Sequence, residues 1–205
     1  MNTPVTIAYG DEDFPAYIDA ALMVLREAGA TFSIETIEIG SRIYGMNYGK
    51  GILPSSFDSL ERTRRLLIGG SNLPQKEGYV PVARVIRDHF GLGDEHHDEY
   101  GLSVDDDTVI RAVSYVNDNF AMFEAVDETP ASALLAATML LEHSQQQQAA
   151  AAIKTAMLHT LKTGIAKPTL LARLLGRSPS EALLFAETVC SHLGKKPSES
   201  AASGV

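Results

Sequence analysis

The spacing of apolar positions divides the chain into an alternating front half and a helical last third. Val5 to Tyr9 is a short β-branched and aromatic run closed by Gly10-Asp11, the pattern of a strand and turn. From Pro15 the period changes. Ile18, Leu22, Leu25 and Ala28 recur every three or four residues, and Gly29 follows as a C-terminal cap. Thr31 to Ile39 is a second strand, with Phe32 and Ile34 on one face and Ile37 and Ile39 on the other. The phase change near Thr36 predicts a bulge or a strand buried on both sides. Ser55 and Ser56, after Pro54, are placed to cap a short helix through Arg62, ahead of a third strand at Leu66 to Ile68. Strand, helix, strand, helix, strand is the order of an α/β fold, a layered sheet with flanking helices.

The middle differs. Asp94 to Asp107 (DEHHDEYGLSVDDD) carries seven carboxylates and two histidines with almost no aliphatic content, which predicts an exposed acidic connection. Asp107 is placed to cap a helix carrying Val109, Ala112, Val113 and Val116, and Phe120 to Val126 reads as a buried strand. The C-terminal third is helical. Pro130 to His143 is too apolar for a surface helix, Ile153 to Lys162 ends at Gly164, and Pro168 to Leu175 ends at Gly176. Ser178-Pro179-Ser180-Glu181 is a capping box opening a helix that stops at Gly194. The Gln145–Gln148 and Ala149–Ala152 tracts read as a helix or helix connection, and 195–205 as a disordered tail.

Composition narrows the function classes. The 205 residues carry a net charge of −9, which argues against a dedicated nucleic-acid surface, since that needs clustered positive charge. Cys190 is the single cysteine, so an intrachain disulfide and a CxxC zinc site are excluded, and a reducing, cytoplasmic setting fits. No apolar run approaches the roughly 20 residues of a membrane helix, and MNTPVTIAYGDEDF lacks the pattern of a signal peptide.

Several stretches together resemble the β-decarboxylating dehydrogenases, the isocitrate and isopropylmalate dehydrogenase family, and the isocitrate branch more closely. VTIAYGDEDFP is similar to the family's opening strand and GDGIGPE turn, and AALMVLREAGATFSIETIEIG to the helix and strand that follow. SFDSLERTRRLLIGG and LPQKEGYVPVARVIRDHFGL continue the likeness, which resumes in NDNFAMFEAV, TPASALLAATMLL and EALLFAETVCSHLGKKP. The resemblance implies a single α/β domain, 1–194, built like the family's large domain from two segments, 1–92 and 113–194. An acidic connector, 93–112, joins them.

The departures from the family fall on chemistry. Two glycines of the phosphate-approaching turn become Glu12 and Phe14, leaving Gly10 and Asp11 in the former cofactor region. A family lysine becomes Ile68, and two threonines that meet substrate and nicotinamide become Asn72 and Leu73. In the substrate segment a serine becomes Pro81 and an asparagine Ala83, while Arg87 remains at a substrate-carboxylate position and Arg84 is extra. The asparagine that meets adenine becomes Thr129. The segment that in the family supplies the catalytic tyrosine and lysine, the other substrate arginines and the metal-binding aspartates has no counterpart in these motifs. The parent reaction needs a metal as Lewis acid, a proton acceptor and donor, and cationic clamps for three carboxylates.

The expectation is therefore a non-catalytic relative acting through a protein partner, self-association or a small anionic metabolite held by Arg87, Arg84 and Asn72. NAD(P) and Mg/Mn are ancestral to the family and expected to be lost. Two alternatives stand beside it. One is an altered oxidoreductase or small-acid enzyme using Asp11, Glu12 and Asp13 beside Asn72, with Arg87 as clamp. The other is a regulatory subunit of a complete dehydrogenase. His96 and His97 among carboxylates read as a solvated connector rather than a metal site, Cys190 and His159 as packing residues, and Glu124 as structural.

Overall fold

A computed structural model describes residues 2–10, 14–46, 50–69, 80–106, 108–127, 129–165 and 178–194. The chain opens with β1 (Thr3–Tyr9), α1 (Phe14–Glu27), β2 (Phe32–Glu38), α2 (Ser41–Gly45), α3 (Pro54–Thr63), β3 (Arg65–Ile68) and α4 (Val82–Phe90). A 3-10 turn at Asp94–His96 leads into β4 (His97–Ser103), β5 (Val109–Val116) and β6 (Ala121–Ala125). Three helices close the described chain: α5 (Pro130–His143), α6 (Gln147–Ile165) and α7 (Pro179–His192).

The strands form one sheet in the order β2-β1-β3-β6-β5-β4. β2, β1, β3 and β6 run parallel, and β5 and β4 are added antiparallel beyond β6. Period-2 alternation along β1, β3 and β6 sends their side chains to two cores. On one face Ile7, Leu67 and Phe123 pack with α1, α5, α6 and α7; on the other Leu66, Ile68, Phe120 and Met122 pack with α3 and α4. α5 is buried from Pro130 to Leu141, as its almost wholly apolar composition requires. Thr129 caps it, its hydroxyl accepting from Ser132 N–H. The Ser178–Glu181 capping box of α7 forms as the sequence predicts, and Gly194 follows α7 at φ +78°.

Several expectations fail, each for a physical reason. The segment after Asp107 is not a helix but β5. Val109, Ala112, Val113 and Val116 satisfy a helical period, yet exposed Val109 and Arg111 alternate with buried Ile110 and Ala112, and β-branched residues favour the pleated surface. The acidic stretch before it contains β4, whose register with β5 runs from His97↔Tyr115 to Ser103↔Val109. β2 has neither a bulge nor two buried faces. Its ladder to β1 is continuous from Thr3↔Phe32 to Tyr9↔Glu38, and it is an edge strand with Ile34 42% exposed. Leu53, not Ser55 or Ser56, occupies the N-cap of α3, and Pro54 takes the first helical position. α6 runs through Gly164 to Ile165. The expected helix over 168–175, the tail 195–205 and Asp107 itself lie outside the described residues.

Candidate functional site

Three side chains from three elements lie on the α4 side of the sheet. This helix is amphipathic: Val82, Ala83 and Ile86 are buried against the sheet, while Arg84 and Asp88 face solvent. Arg87, next in line after Ile86, lies at the border of that buried stripe. Its guanidinium sits over the Tyr115 ring of β5, 4.3 Å from the centroid, and its buried Nε has no hydrogen-bond partner. A planar cation on an aromatic face is a stabilising contact, and Tyr115 also hydrogen-bonds the guanidinium, so the Nε–H is the donor left without an acceptor.

Glu124 joins them through strand register. β5 and β6 set Tyr115 opposite Met122 and Val113 opposite Glu124, and β3 sets Ile68 opposite Glu124. Residues opposite one another share a face, so the carboxyl of Glu124 stands on the α4 side of the sheet beside buried Ile68, Val113 and Met122. Burial raises its pKa above the ordinary carboxylate range, with Arg87 pulling the other way. Burial also raises the Tyr115 hydroxyl, opposed by Arg87 and reinforced by Glu124 and Asp94. His97, facing Tyr115 across the hairpin, has its ring 5.2 Å away.

The remaining sequence candidates do not converge on this point. Arg84 is separated from it by the turn of the helix and pairs with Asp88 at 3.8 Å on the solvent side. Arg62 is turned to Glu35 of β2, with its NH2 group 2.6 Å from the carboxylate. Thr129 caps α5, so its hydroxyl serves the helix. Gly10 ends β1 without needing to be glycine: a Cβ there would meet Ile39 at 3.9 Å, an ordinary contact. Asn72 and Asp11, together with Glu12 and Asp13, lie outside the described residues.

Two of the positions at which the family places substrate-binding polar groups are apolar and buried here, and a third, Pro81, is apolar and exposed. Ile68 is fully buried at the end of β3, Ala83 packs in the α4-side core, and Pro81 is the N-cap of α4. Among the described residues no group of three or more His, Cys, Asp or Glu side chains is arranged to hold a metal ion. At the adenine-contacting position the Thr129 hydroxyl accepts from Ser132 N–H as the cap of α5.

Other titratable groups have local explanations. Burial raises the Cys190 thiol and neighbouring Glu27 adds to it, the opposite of nucleophile activation. Burial lowers His143, which packs against Phe123, and Arg65 lowers it further. Tyr9 donates to Asp19 at 2.8 Å and is pushed up to about 12, burial being the larger cause. The histidine pair His159 and His192 is held by packing of α6 on α7, with Thr160 Oγ1 2.9 Å from His192 Nδ1. The partners sequence reasoning missed are Tyr115 and the site role of Glu124. The one available signal was a lone charge in the otherwise apolar strand FAMFEAV.

Comparison with known proteins agrees with this architecture. No family model matches the chain. An 85-residue stretch is 42% identical to the NADP isocitrate dehydrogenases of Rickettsia typhi and Rickettsia bellii, covering 42% of this chain and 18% of each relative. The chain therefore matches less than a fifth of the length of those relatives. Among solved structures, the isocitrate dehydrogenase of Methylococcus capsulatus superposes with a TM-score of 0.74 at 14% identity, covering 95% of this chain and 100% of that one. A β-decarboxylating dehydrogenase of Thermococcus kodakarensis, in its apo form, gives 0.68 at 13% identity over 94% of this chain and 96% of that one.

Proposed function

This chain is related to the isocitrate/isopropylmalate dehydrogenase family, and from that premise we propose that it is a non-catalytic relative whose work is binding a small anionic metabolite at Arg87. The observation that carries the reading is the Arg87 guanidinium held over Tyr115 with its buried Nε unsatisfied. A buried donor without an acceptor is costly and calls for a partner. A carboxylate is the group that fits the planar fork of an arginine.

Catalysis of the family type is disfavoured by what surrounds that arginine. Ile68 and Ala83 offer neither charge nor proton, and one guanidinium cannot hold a tricarboxylate against water. Glu124, the nearby carboxyl, faces Arg87 from an apolar sheet surface and adds negative charge where a polyanionic substrate would sit.

Titration calorimetry with isocitrate and with 2-oxoglutarate tests this reading. Binding to the wild-type chain that weakens at least about tenfold in Arg87→Leu, about 1.4 kcal/mol, supports it. Equal affinity in the two chains, or no binding to either, contradicts it.

A second reading, association with a protein partner or a second copy, is favoured by the two outer strands of the sheet, β2 and β4, each of which pairs on one side only among the described residues. β2 carries exposed Ile34 on its edge, and open strand edges recruit further strands. Light scattering that returns the monomer mass, alone and mixed with a complete isocitrate dehydrogenase, counts against it.

A further inference from the structure

We propose that the Arg87 site takes up an anion together with one proton, and that the proton rests on Glu124. The inference rests on the reading of Arg87 as an anion site and adds to it how that site is regulated. Strand register puts Glu124 on the same face as Tyr115, flanked by Ile68, Val113 and Met122, so its carboxyl stands on an apolar floor. The charge that acts on it is Arg87. That same guanidinium lies over Tyr115, and its buried Nε has no hydrogen-bond partner.

One cation thus acts on Glu124 and is also the group an incoming anion would pair with. An incoming carboxylate or sulfate at Arg87 draws the guanidinium's charge to itself and sets a second negative charge beside Glu124. A largely buried carboxylate that loses its counter-charge is destabilised in its ionised form by desolvation. Taking up a proton removes that cost and turns Glu124 from a competitor into a neutral hydrogen-bond donor. By linkage, anion binding then strengthens as pH falls, approaching tenfold per pH unit for one proton. Burial already holds Glu124 above the usual carboxylate range, which moves this coupling toward neutral pH.

The other charged groups around the site do not replace Glu124 in this role. Asp94 acts on Tyr115 from the turn before β4 and only adds negative charge. His97 pairs with Tyr115 across the β4–β5 ladder, its ring 5.2 Å from that ring. Arg84 and Asp88 pair with each other on the outer face of α4, and His89 lies 3.6 Å from Glu61.

The test uses sulfate, whose charge is constant across the range, titrated into the full chain from about pH 5.5 to about pH 8.5, the span around an upshifted carboxyl and His. Calorimetry in two buffers of different ionisation heat counts the protons taken up. The expected result is sulfate binding that Arg87→Leu abolishes, that tightens toward acid with uptake of about one proton, and that becomes pH-independent in Glu124→Gln but not in His97→Gln. The proton count on wild-type protein stands even if Glu124→Gln folds poorly. Arginine-dependent binding with no proton uptake, or a slope that persists in Glu124→Gln, overturns this inference and leaves the anion site intact. No sulfate binding at any pH overturns both.

Discussion

The guanidinium of Arg87 lies 4.3 Å from the centre of the Tyr115 ring, joining helix α4 to the antiparallel hairpin β4–β5. The β5–β6 register places Glu124 on the same sheet face as Tyr115. The contact is the point at which a likeness in sequence becomes a specific arrangement of charge.

The first prediction concerns that charge. Burial raises the pKa of Glu124, so between the ordinary carboxylate value and its own raised value the folded chain keeps a proton that the unfolded chain has released. Its contribution to stability is full below the unfolded value, falls as pH rises through this window, and levels off above the folded value. Glu124→Gln removes the dependence. Its melting temperature should match wild type at acid pH and exceed it by a few degrees at neutral pH. A variant less stable than wild type at neutral pH would show that the attraction of Arg87 outweighs burial.

Thr129 should matter as a cap and not as a ligand contact. Its hydroxyl accepts from Ser132 N–H at the start of α5, so Thr129→Ala should cost about 1 kcal/mol in denaturant unfolding. Thr129→Asn, the family's own residue there, keeps a capping oxygen and should cost close to nothing. Equal losses in the two variants would remove the capping account.

Gly51 is held at φ +63°, and a Cβ there would enter the Tyr44 ring and come within 2.8 Å of Val82 Cγ2. Tyr44 donates its hydroxyl to the Val80 carbonyl, which limits how far the ring can move aside. Gly51→Ala should therefore destabilise by about 2 kcal/mol, measured as a lowered urea midpoint with unchanged slope.

Much of the fold was readable because its signals are local. α5 announces itself by composition, α7 by the Ser178–Glu181 box, and β1, β3 and β6 by short apolar runs with turn residues at their ends. β5 was misread because Val109, Ala112, Val113 and Val116 fit a helical period as well as a strand, and only pairing with β6 decides between them. β4 was misread because an exposed edge strand can be acidic, as charge on an edge blocks unwanted pairing. The site was half legible for the same reason. Arg87 came from a motif within α4, whereas Tyr115 and Glu124 reach it only through the β5–β6 ladder, a long-range pairing that no local pattern encodes.

The central claim is that this relative of isocitrate dehydrogenase binds without turning over. Its most direct test is a steady-state assay of purified wild-type protein with isocitrate, NADP or NAD, and magnesium or manganese, followed by the absorbance of the reduced nicotinamide. The account predicts a rate indistinguishable from the no-protein control under every combination. Isocitrate-dependent reduction clearly above that control, and lost in Arg87→Leu, would contradict it.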